Sequence, residues 1–340
     1  MEKFLIEYKY NESFNAGSKA RDDINIILNE FDYTRIQLNM EYNYLKKIIH
    51  IINLKNFLKN ITNESVVFLQ WPIATHKYAN QILKILKKKN CKIIIIIHDL
   101  ISLRFNKKDL ILKEINLLNK ADVIISHNYI MTKWLNEKGL KTKTIELNIF
   151  DYIHNLKIDN KIRKDNYKID FAGNLSKEKS GFIYKFSDDI IKNFKLNLYG
   201  ANFENNINYN KIEFKGKFLP EELPGVLEGD FGLIWDGEDL ETCSGVYGEY
   251  LKYNNPHKLS LYISSGIPVI VWKESAISKF VLDNNIGISI NDLNELDNKL
   301  ENLKNYNELK TNANLMKRKL ITGYFTKNAI LEALNYIENN

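Results

Sequence analysis

The chain contains 340 residues, which is more than a single hydrophobic core usually serves, so two domains are expected. Its hydrophobic content of 44% and aromatic content of 12% exclude a disordered chain, and its longest aliphatic run, Ile93–Ile97, is too short to span a bilayer. The net charge of +6 is unevenly distributed, because residues 1–165 carry a balance of +10 and the remaining residues a balance of −4.

The basic first part of the chain predicts an anionic partner. Nucleic acid, an acidic membrane surface and a lipid-linked pyrophosphate are the candidates. Lys87–Lys89 belong either to such a basic patch or to the solvated end of a helix. No basic and apolar leader opens the sequence, and its two cysteines, Cys91 and Cys243, match no disulfide or metal motif. We therefore expect a cytoplasmic protein that can meet the inner face of the cell membrane through its basic part.

Strands and helices alternate along the chain. In the first half, strands are predicted near Phe4–Tyr8, Thr34–Leu38, Val66–Leu69, Ile93–Ile97, Val123–Ser126 and Thr144–Leu147, and helices near Lys19–Asn29, Tyr44–Leu58, His76–Lys88, Leu110–Asn119 and Met131–Glu137. After a polar linker at Asp159–Lys168, strands are predicted near Ile169–Ala172, Lys195–Tyr199, Ile212–Phe214, Phe231–Trp235, Val269–Trp272 and Gly287–Ile290. This alternation predicts an α/β protein of two domains, residues 1–160 and 161–323, each with a parallel sheet covered on both faces. Ligands are expected beyond the carboxyl ends of the strands, in a central cleft.

The loop that follows the first strand opens a helix at Phe14–Arg21. Gly17 would let the backbone approach a ligand, and Ser18 is a suitable N-cap. The loop contains one glycine and therefore lacks the dinucleotide-binding fingerprint, which argues against a dehydrogenase. A plain helix start explains these residues equally well.

Two titratable residues, His98 and Asp99, follow the strand Ile93–Ile97. A rigid strand end that carries adjacent imidazole and carboxylate groups is typical of a general acid/base site. We interpret Asp99 as the base and His98 as its neighbour. The alternative is a structural loop in which Asp99 caps the next turn and pairs with Arg104.

Loops after the strands of the second half carry further candidates. Asn174, Ser176 and Lys177 offer hydrogen-bond donors to a phosphate. Tyr199 could stack on a base, and Gly200 would give that base room. Asp236 and Glu238 only loosely resemble a metal site, and we expect no metal there. Glu249 is a candidate for binding the hydroxyls of a ribose or sugar.

The segment 253–273 is the most informative part of the sequence. Pro256 is suited to start a helix, Gly266 is suited to stop it, and Pro268–Trp272 is typical of a buried strand. The helix N-terminus attracts anions. Four residues there are therefore predicted to bind a diphosphate: Tyr253, Asn255, His257 and Lys258.

Several motifs together resemble one group of bacterial glycosyltransferases. The motifs are Phe231–Gly237, Cys243–Gly245, Gly248–Tyr262 and Gly266–Trp272, with Ala16–Arg21, Val67–Pro72, His98-Asp99 with Arg104, and Phe171–Asn174. The group has the GT-B fold and contains β-1,6-galactofuranosyltransferases of surface polysaccharides and the glucosyltransferases that extend O-GlcNAc on serine-rich adhesins. The string Ala16–Arg21 is closer to the galactofuranosyl branch.

The resemblance implies two Rossmann-like domains, with helix 324–340 crossing back to the first. It also implies that the second domain binds a UDP-sugar and that the first presents a lipid-linked or protein-linked glycan acceptor, with no nucleic acid involved. Members act by inversion and without a metal, so Lys258 and Lys177 would offset the diphosphate charge. UDP-galactofuranose is the expected donor, followed by UDP-glucose, and relatives form homo-oligomers.

Two other classes of function use the same architecture. A sugar-nucleotide epimerase would turn over the donor without an acceptor, and a non-catalytic partner of another glycosyltransferase would bind UDP weakly or not at all. A degenerate partner would lack several of His98, Asp99, Lys177 and Lys258. All four are present, which favours an active enzyme.

Overall fold

The computed structural model describes residues 1–9, 16–39, 54–73, 75–158, 166–187, 190–204 and 210–340. They form an N-terminal domain, Met1–Leu147 with Phe325–Asn340, and a C-terminal domain, Asn148–Tyr324. Within these ranges, no helix is both long enough and apolar enough to span a bilayer.

The chain divides after Leu147, earlier than the predicted boundary at residue 160. The reason is that the residues after Leu147 pack within the C-terminal domain. The Tyr152 hydroxyl donates to the carbonyl of Pro220 at 2.5 Å, and His154 Nε2 donates to the carbonyl of Ser264 at 3.1 Å. Residues 159–165 of the predicted linker lie outside the described residues, and Tyr167 already begins a strand.

The N-terminal domain contains a parallel sheet in the order β2-β1-β3-β4-β5-β6. Its strands are β1 (Lys3–Lys9), β2 (Thr34–Asn39), β3 (Val66–Trp71), β4 (Lys92–Ile97), β5 (Val123–Ser126) and β6 (Lys143–Glu146). Its helices are α1 (Ala16–Asn29), α2 (His76–Lys88), α3 (Ile101–Arg104), α4 (Lys108–Leu118) and α5 (Tyr129–Glu137). Residues 54–57 are also helical, and most of the helix predicted at Tyr44–Leu58 lies outside the described residues.

Continuous apolar runs form the central strands because both faces of the sheet are covered. All five isoleucines of β4 are completely buried, and every residue of β3 is buried. Helix α2 buries the stripe Tyr78, Ala79, Ile82, Leu83 and Leu86, and it begins after Thr75, whose side chain accepts a hydrogen bond from the backbone N–H of Tyr78.

The C-terminal domain contains a second parallel sheet in the order β12-β11-β10-β7-β8-β9. Its strands are β7 (Tyr167–Ala172), β8 (Phe194–Tyr199), β9 (Ile212–Gly216), β10 (Phe231–Ile234), β11 (Val269–Trp272) and β12 (Gly287–Ile290). Its helices are α6 (Lys177–Ser180), α7 (Leu223–Val226), α8 (Gly245–Tyr250), α9 (His257–Ser264), α10 (Ser278–Asp283), α11 (Leu296–Glu301) and α12 (Tyr306–Leu320), with 3-10 turns at Gly181–Lys185 and Leu293–Glu295.

Each sheet has a point where the strand order reverses, between β1 and β3 in one domain and between β7 and β10 in the other. In open parallel sheets, ligands bind beyond the carboxyl ends of the strands at such a point. The loops that follow β7 and β10 therefore define the first place to search for a ligand site in the C-terminal domain.

The last helix, α13 (Tyr324–Glu338), packs on the N-terminal domain. It buries Ala329, Ile330 and Ala333. Lys327 forms an ion pair with Glu30 of the loop after α1 at 2.6 Å. The chain thus returns to its first domain immediately after Gly323, whose φ is +76°.

Candidate active site

A half-buried lysine lies where the strand order of the C-terminal sheet reverses. Lys258, on the first turn of α9, donates from Nζ to Asp236 Oδ1 at 2.6 Å and to the carbonyl of Trp235 at 3.1 Å, both just beyond β10. The same Nζ lies 4.4 Å from the ring centroid of Phe171 on β7. Burial lowers the pKa of Lys258, and the Asp236 carboxylate acts in the opposite direction.

Lys179 is a second cation that acts on this site. Its positive charge also lowers the pKa of Lys258, and its carbonyl accepts a hydrogen bond from the backbone N–H of Gly237 at 2.8 Å. Lys179 Nζ lies 5.0 Å from the ring centroid of Tyr247. Sequence reasoning singled out Lys177 and overlooked Lys179.

Two glycines allow the loops around Lys258 to approach each other. A Cβ atom on Gly173 would lie 3.1 Å from Lys258 Cε. A Cβ atom on Gly200, whose φ is +149°, would lie only 1.7 Å from the carbonyl oxygen of Gly173. Gly200 was predicted to make room for a base, whereas here it makes room for the Gly173 loop.

Helix α9 is fixed at both ends. Pro256 occupies the N-cap, and the helix begins with His257. At the other end Gly266 has a φ of +72° and donates to the carbonyl of Ile263, while Ile267 donates to the carbonyl of Tyr262, both at 2.9 Å. This pair of hydrogen bonds is a Schellman motif, so the predicted stop at Gly266 is confirmed.

Asn255 and His257 use their side chains to hold α9 against the start of the C-terminal domain. Asn255 is buried and donates to the carbonyl of Asn148 at 2.9 Å, and the His257 ring stacks on Tyr152 at 5.0 Å between centroids. These contacts position the helix, and the binding of a diphosphate by Asn255 and His257 stays a prediction. Tyr253 is half-buried, in the turn that precedes Pro256.

The loop after β7 is organised mainly by its own hydrogen bonds. Asn174 Oδ1 accepts from the backbone N–H of Ser176 at 3.0 Å and from Asn202 Nδ2 at 2.9 Å. Ser176 occupies the N-cap of α6, but its side chain donates or accepts no capping bond there. Lys177 is exposed and forms an ion pair with Glu204 at 2.6 Å, a contact that raises the pKa of Lys177.

Tyr199 also lies differently from the prediction, whereas the binding of sugar hydroxyls by Glu249 stays a prediction. The Tyr199 side chain is only 1% exposed, because both faces of β8 are covered near its end, so it offers no face to a base. Glu249 lies on the exposed side of α8 and pairs with Lys252 at 2.9 Å. Of the two residues of the loose metal motif, Asp236 pairs with Lys258. Among the described residues, no cluster of three or more His, Cys, Asp or Glu side chains could hold a metal.

In the N-terminal domain, His98 and Asp99 have different partners at the end of β4. His98 Nε2 lies 2.7 Å from Gln70 Oε1, and its backbone N–H donates to the carbonyl of Trp71. Asp99 Oδ2 accepts from Arg104 at 2.5 Å. This ion pair is the one that the structural alternative for the loop predicted.

Two buried residues that sequence reasoning missed hold this loop in place. Glu114 accepts hydrogen bonds from Trp71 Nε1 at 2.9 Å and from the hydroxyl of Ser102 at 2.6 Å. His127 donates from Nε2 to the carbonyl of Ile97 at 3.0 Å, and burial lowers the pKa of His127 to about 4. A glutamate on the apolar face of a predicted helix was the available signal for Glu114.

Gly17 and Ser18 lie inside α1, which begins at Ala16. Ser18 is therefore not the N-cap, because the helix starts earlier than its apolar pattern indicates. Residues 10–15, which include the first part of the predicted loop, lie outside the described residues.

Two family models match the two domains. The model of the N-terminal domain of glucosyltransferase 3-like proteins matches residues 3–149, and the model of the C-terminal domain matches residues 169–333. The chain belongs to the glucosyltransferase 3-like family. This result confirms the resemblance on which the sequence interpretation relied.

Relatives of this glucosyltransferase 3-like chain are glycosyltransferases. It is 31% identical to β-1,6-galactofuranosyltransferase WbbI of Escherichia coli K12 over 332 residues, which cover 94% of this chain and 95% of WbbI. It is 27% identical to glucosyltransferase 3 of Streptococcus parasanguinis over 289 residues, which cover 83% of this chain and 82% of that protein. The glucosyltransferase 3-like chain is therefore a glycosyltransferase.

Solved structures show the same fold. HepE of Anabaena in complex with UDP is 13% identical, with a TM-score of 0.60 over 98% of this chain and 99% of HepE. An Escherichia coli structure with UDP-2-fluoro glucose is 7% identical, with a TM-score of 0.59 over 98% of this chain and 99% of that one. The predicted GT-B fold of the glucosyltransferase 3-like protein, with two Rossmann-like domains, is confirmed.

Proposed function

We propose that this glycosyltransferase moves a hexosyl group from a UDP-sugar to a glycan acceptor in the synthesis of a surface polysaccharide or glycoprotein. The observation that carries this proposal is Lys258, whose side chain is 12% exposed, on the first turn of α9 where the sheet order reverses. An ammonium has three N–H donors, and Asp236 and Trp235 occupy two of them. The third suits an oxygen of the donor diphosphate.

The leaving diphosphate is stabilised by the cations of the C-terminal domain. As the anomeric C–O bond breaks, its electron pair goes to the diphosphate oxygen, where Lys258, Lys179 and the N-terminus of α9 offset the developing charge. We propose that this reaction needs no metal ion.

The N-terminal domain supplies the base. An inverting reaction requires removal of the acceptor hydroxyl proton as the acceptor oxygen bonds to the anomeric carbon. The sequence favoured Asp99, but Asp99 is held by Arg104. We therefore propose His98 as the base, with Asp99 as the alternative.

Galactofuranose is the proposed sugar, followed by glucose. The support is that WbbI is both more identical and covered over more of its length than glucosyltransferase 3 of Streptococcus parasanguinis. The galactofuranosyl donor is UDP-linked in this proposal, and a structure of HepE contains UDP. The acceptor is a lipid-linked or protein-linked glycan.

The experiment is a binding screen of UDP- and GDP-sugars by calorimetry, followed by mass spectrometry of products formed with candidate acceptors. Lys258→Met should weaken UDP binding by at least about a hundred-fold, because it removes a buried charge-assisted hydrogen bond. Lys185→Met is the control, since Lys185 pairs with Asp239 on the surface. Unchanged UDP affinity in Lys258→Met would remove Lys258 from the donor site.

Donor turnover without an acceptor would indicate an epimerase instead. A putative UDP-N-acetylglucosamine 2-epimerase of Listeria monocytogenes shares the fold at 11% identity, with a TM-score of 0.58 over 99% of this chain and 98% of that one. Weak or absent binding of every sugar nucleotide would favour a non-catalytic partner.

A further inference from the structure

A polar network lies at the carboxyl edge of the N-terminal sheet, beside the apolar strand β4. Gln70 is the polar residue of β3 and is 4% exposed, and Asn25 on α1 is 3% exposed. Gln70 Oε1 lies 2.7 Å from His98 Nε2, and Gln70 Nε2 lies 2.6 Å from Asn25 Oδ1. Asn25 Nδ2 in turn donates to Glu7 Oε1 at 2.7 Å.

The direction of every hydrogen bond in this network follows from its two fixed ends. Glu7 offers a carboxylate, which accepts, so the Asn25 amide must direct Nδ2 to Glu7 and Oδ1 to Gln70. Gln70 Nε2 also donates to the backbone carbonyl of Arg21 at 3.3 Å, and a carbonyl can only accept. Both contacts require the amide nitrogen of Gln70 on that side, so Oε1 must face His98.

The backbone holds Gln70 and His98 in register. Gln70 pairs with Ile96 across β3 and β4, and the backbone N–H of His98 donates to Trp71 at 2.8 Å. Arg21 donates to the carbonyls of Gln70 and Pro72, both at 3.2 Å, which fixes α1 against the end of β3. The network therefore joins four elements, β1, α1, β3 and the end of β4, which the fold already holds together.

From this geometry we infer that Gln70 is a positioning residue, which holds neutral His98 as its Nε2–H tautomer and so makes Nδ1 the nitrogen that accepts the acceptor hydroxyl proton. A glutamine Oε1 that can only accept requires a proton on the histidine nitrogen that faces it. The inference rests on the proposed role of His98 as the base.

The acceptor hydroxyl, His98 and the leaving UDP account for every proton and electron pair of the proposed step. The acceptor O–H bond breaks and its proton moves to His98 Nδ1, while the oxygen lone pair forms the bond to the anomeric carbon and the UDP leaves with its electron pair. The resulting imidazolium keeps its Nε2–H bond to Gln70, and this bond strengthens because its donor is now charged.

The first test measures the tautomer directly by NMR on the full-length protein with ¹⁵N-labelled histidine, at about pH 8.5, where an ordinary imidazole is neutral. The chain has six histidines, so the spectrum of His98→Gln identifies the His98 signals. We expect the Nε2–H pattern at His98. An Nδ1–H pattern would overturn the inference.

The second test uses variants of Gln70. Gln70→Met should give mixed tautomers at His98 and a fall in kcat of about ten-fold or more, with the KM for the donor changed less than about two-fold. Gln70→Glu keeps an accepting oxygen towards His98 and should retain the Nε2–H tautomer, but its carboxylate cannot donate to Asn25 Oδ1 or to the Arg21 carbonyl, so this variant is judged by the tautomer and not by kcat. Gln81→Met is the matched control, because Gln81 is a half-buried residue of α2 in the same domain.

A pure Nε2–H tautomer together with unchanged kcat in Gln70→Met would overturn the inference. If Gln70→Met does not fold, Asn25→Ala provides a weaker form of the test, because it removes one of the two acceptors that orient the Gln70 amide and should therefore admit a minor Nδ1–H population at His98. The tautomer is measured without substrate. Wild-type transfer by His98→Gln would therefore refute the proposed base, and the tautomer result would still decide the role of Gln70.

Discussion

At the scale of single residues, Lys258 is largely removed from water, and the charges around it do not sum to zero. Burying an ammonium is costly unless an opposite charge compensates for it. Asp236 supplies one negative charge, while Lys179 adds a positive one nearby. A bound diphosphate brings the negative charge that this arrangement favours, so donor binding and the stability of the C-terminal domain should be linked.

The two lysines around α6 should differ in their effect on the donor. Lys179→Met should weaken UDP binding by about ten-fold, because Lys179 acts on the Lys258 site electrostatically. Lys177→Met, the matched control, should leave the affinity within about two-fold, because Lys177 pairs with Glu204 on the surface. Calorimetric titration with UDP at low ionic strength measures both. A larger loss in Lys177→Met would reverse this assignment.

His127 should make the folded state sensitive to acid. Its pKa is about 4 in the folded protein because of burial, whereas an unfolded histidine titrates near about 6.5. The folded pKa lies below the unfolded one, so the stability associated with neutral His127 is complete above about pH 6.5 and is lost as the pH falls towards 4. The loss should reach about 3 kcal/mol.

The measurement compares urea unfolding of the wild type and His127→Gln at about pH 8 and pH 5. We expect the free energy of unfolding to fall more in the wild type than in His127→Gln when the pH is lowered. Other titrating groups contribute equally to both proteins. A difference that does not change with pH would contradict the prediction.

The sequence predicted where the loops follow the strands but not the directions of their side chains. Tyr199 lies in a strand buried on both faces, where alternation gives no indication of which side faces a ligand. Lys177 and Lys179 are two residues apart on a helix of only four residues, so their orientation depends on where that helix begins. These directions are set by tertiary packing, which local patterns do not contain.

At the scale of elements, the loops after β7 and β8 contact each other backbone to backbone. The approach requires Gly200, because a Cβ atom there would overlap the Gly173 carbonyl at 1.7 Å. The loop after β7 in turn borders Lys258. The shape of the proposed donor site therefore depends on Gly200, which allows these two loops to meet.

Gly200→Ala should destabilise the protein by more than about 3 kcal/mol, since it adds a backbone overlap to an unfavourable φ. The matched control is Gly139→Ala, where φ is +98° but an added Cβ would meet nothing within 4 Å, so about 1 kcal/mol is expected. Equilibrium unfolding in urea measures both values. Equal costs would show that the overlap at Gly200 relaxes freely.

Helix α9 could be predicted almost completely from sequence. A proline before its first turn and a glycine after its last are local signals, and both lie at its ends in the structure. The contacts of Asn255 with Asn148 and of His257 with Tyr152 could not be predicted. Those partners are about a hundred residues away in the chain, and a single sequence does not reveal such contacts.

At the scale of the whole molecule, the residues proposed for donor binding and the residue proposed as the base belong to different doubly wound domains. Lys258 and Lys179 belong to the C-terminal domain, and His98 with its polar network belongs to the N-terminal domain. The alternation of strands and helices was sufficient to predict both sheets. The strand orders, and hence the places where they reverse, were not part of that prediction because crossovers are not encoded locally.

Transfer should continue in excess EDTA, because lysine side chains and a helix N-terminus are proposed to carry the diphosphate charge. The measurement is product formation by mass spectrometry with the preferred UDP-sugar, before and after dialysis against EDTA. Loss of activity that is restored by Mg²⁺ or Mn²⁺ would show that a metal shares this role.

Helix α13 makes completion of the N-terminal domain depend on synthesis of the C-terminal domain. Its residues 325–340 belong to that domain, yet the ribosome makes them only after the whole of the C-terminal domain. The Lys327–Glu30 ion pair and the apolar face of α13 are therefore added after the C-terminal domain has been made. The domain that emerges first is the one completed last, and a fragment that stops at Leu147 would leave the surface under α13 uncovered.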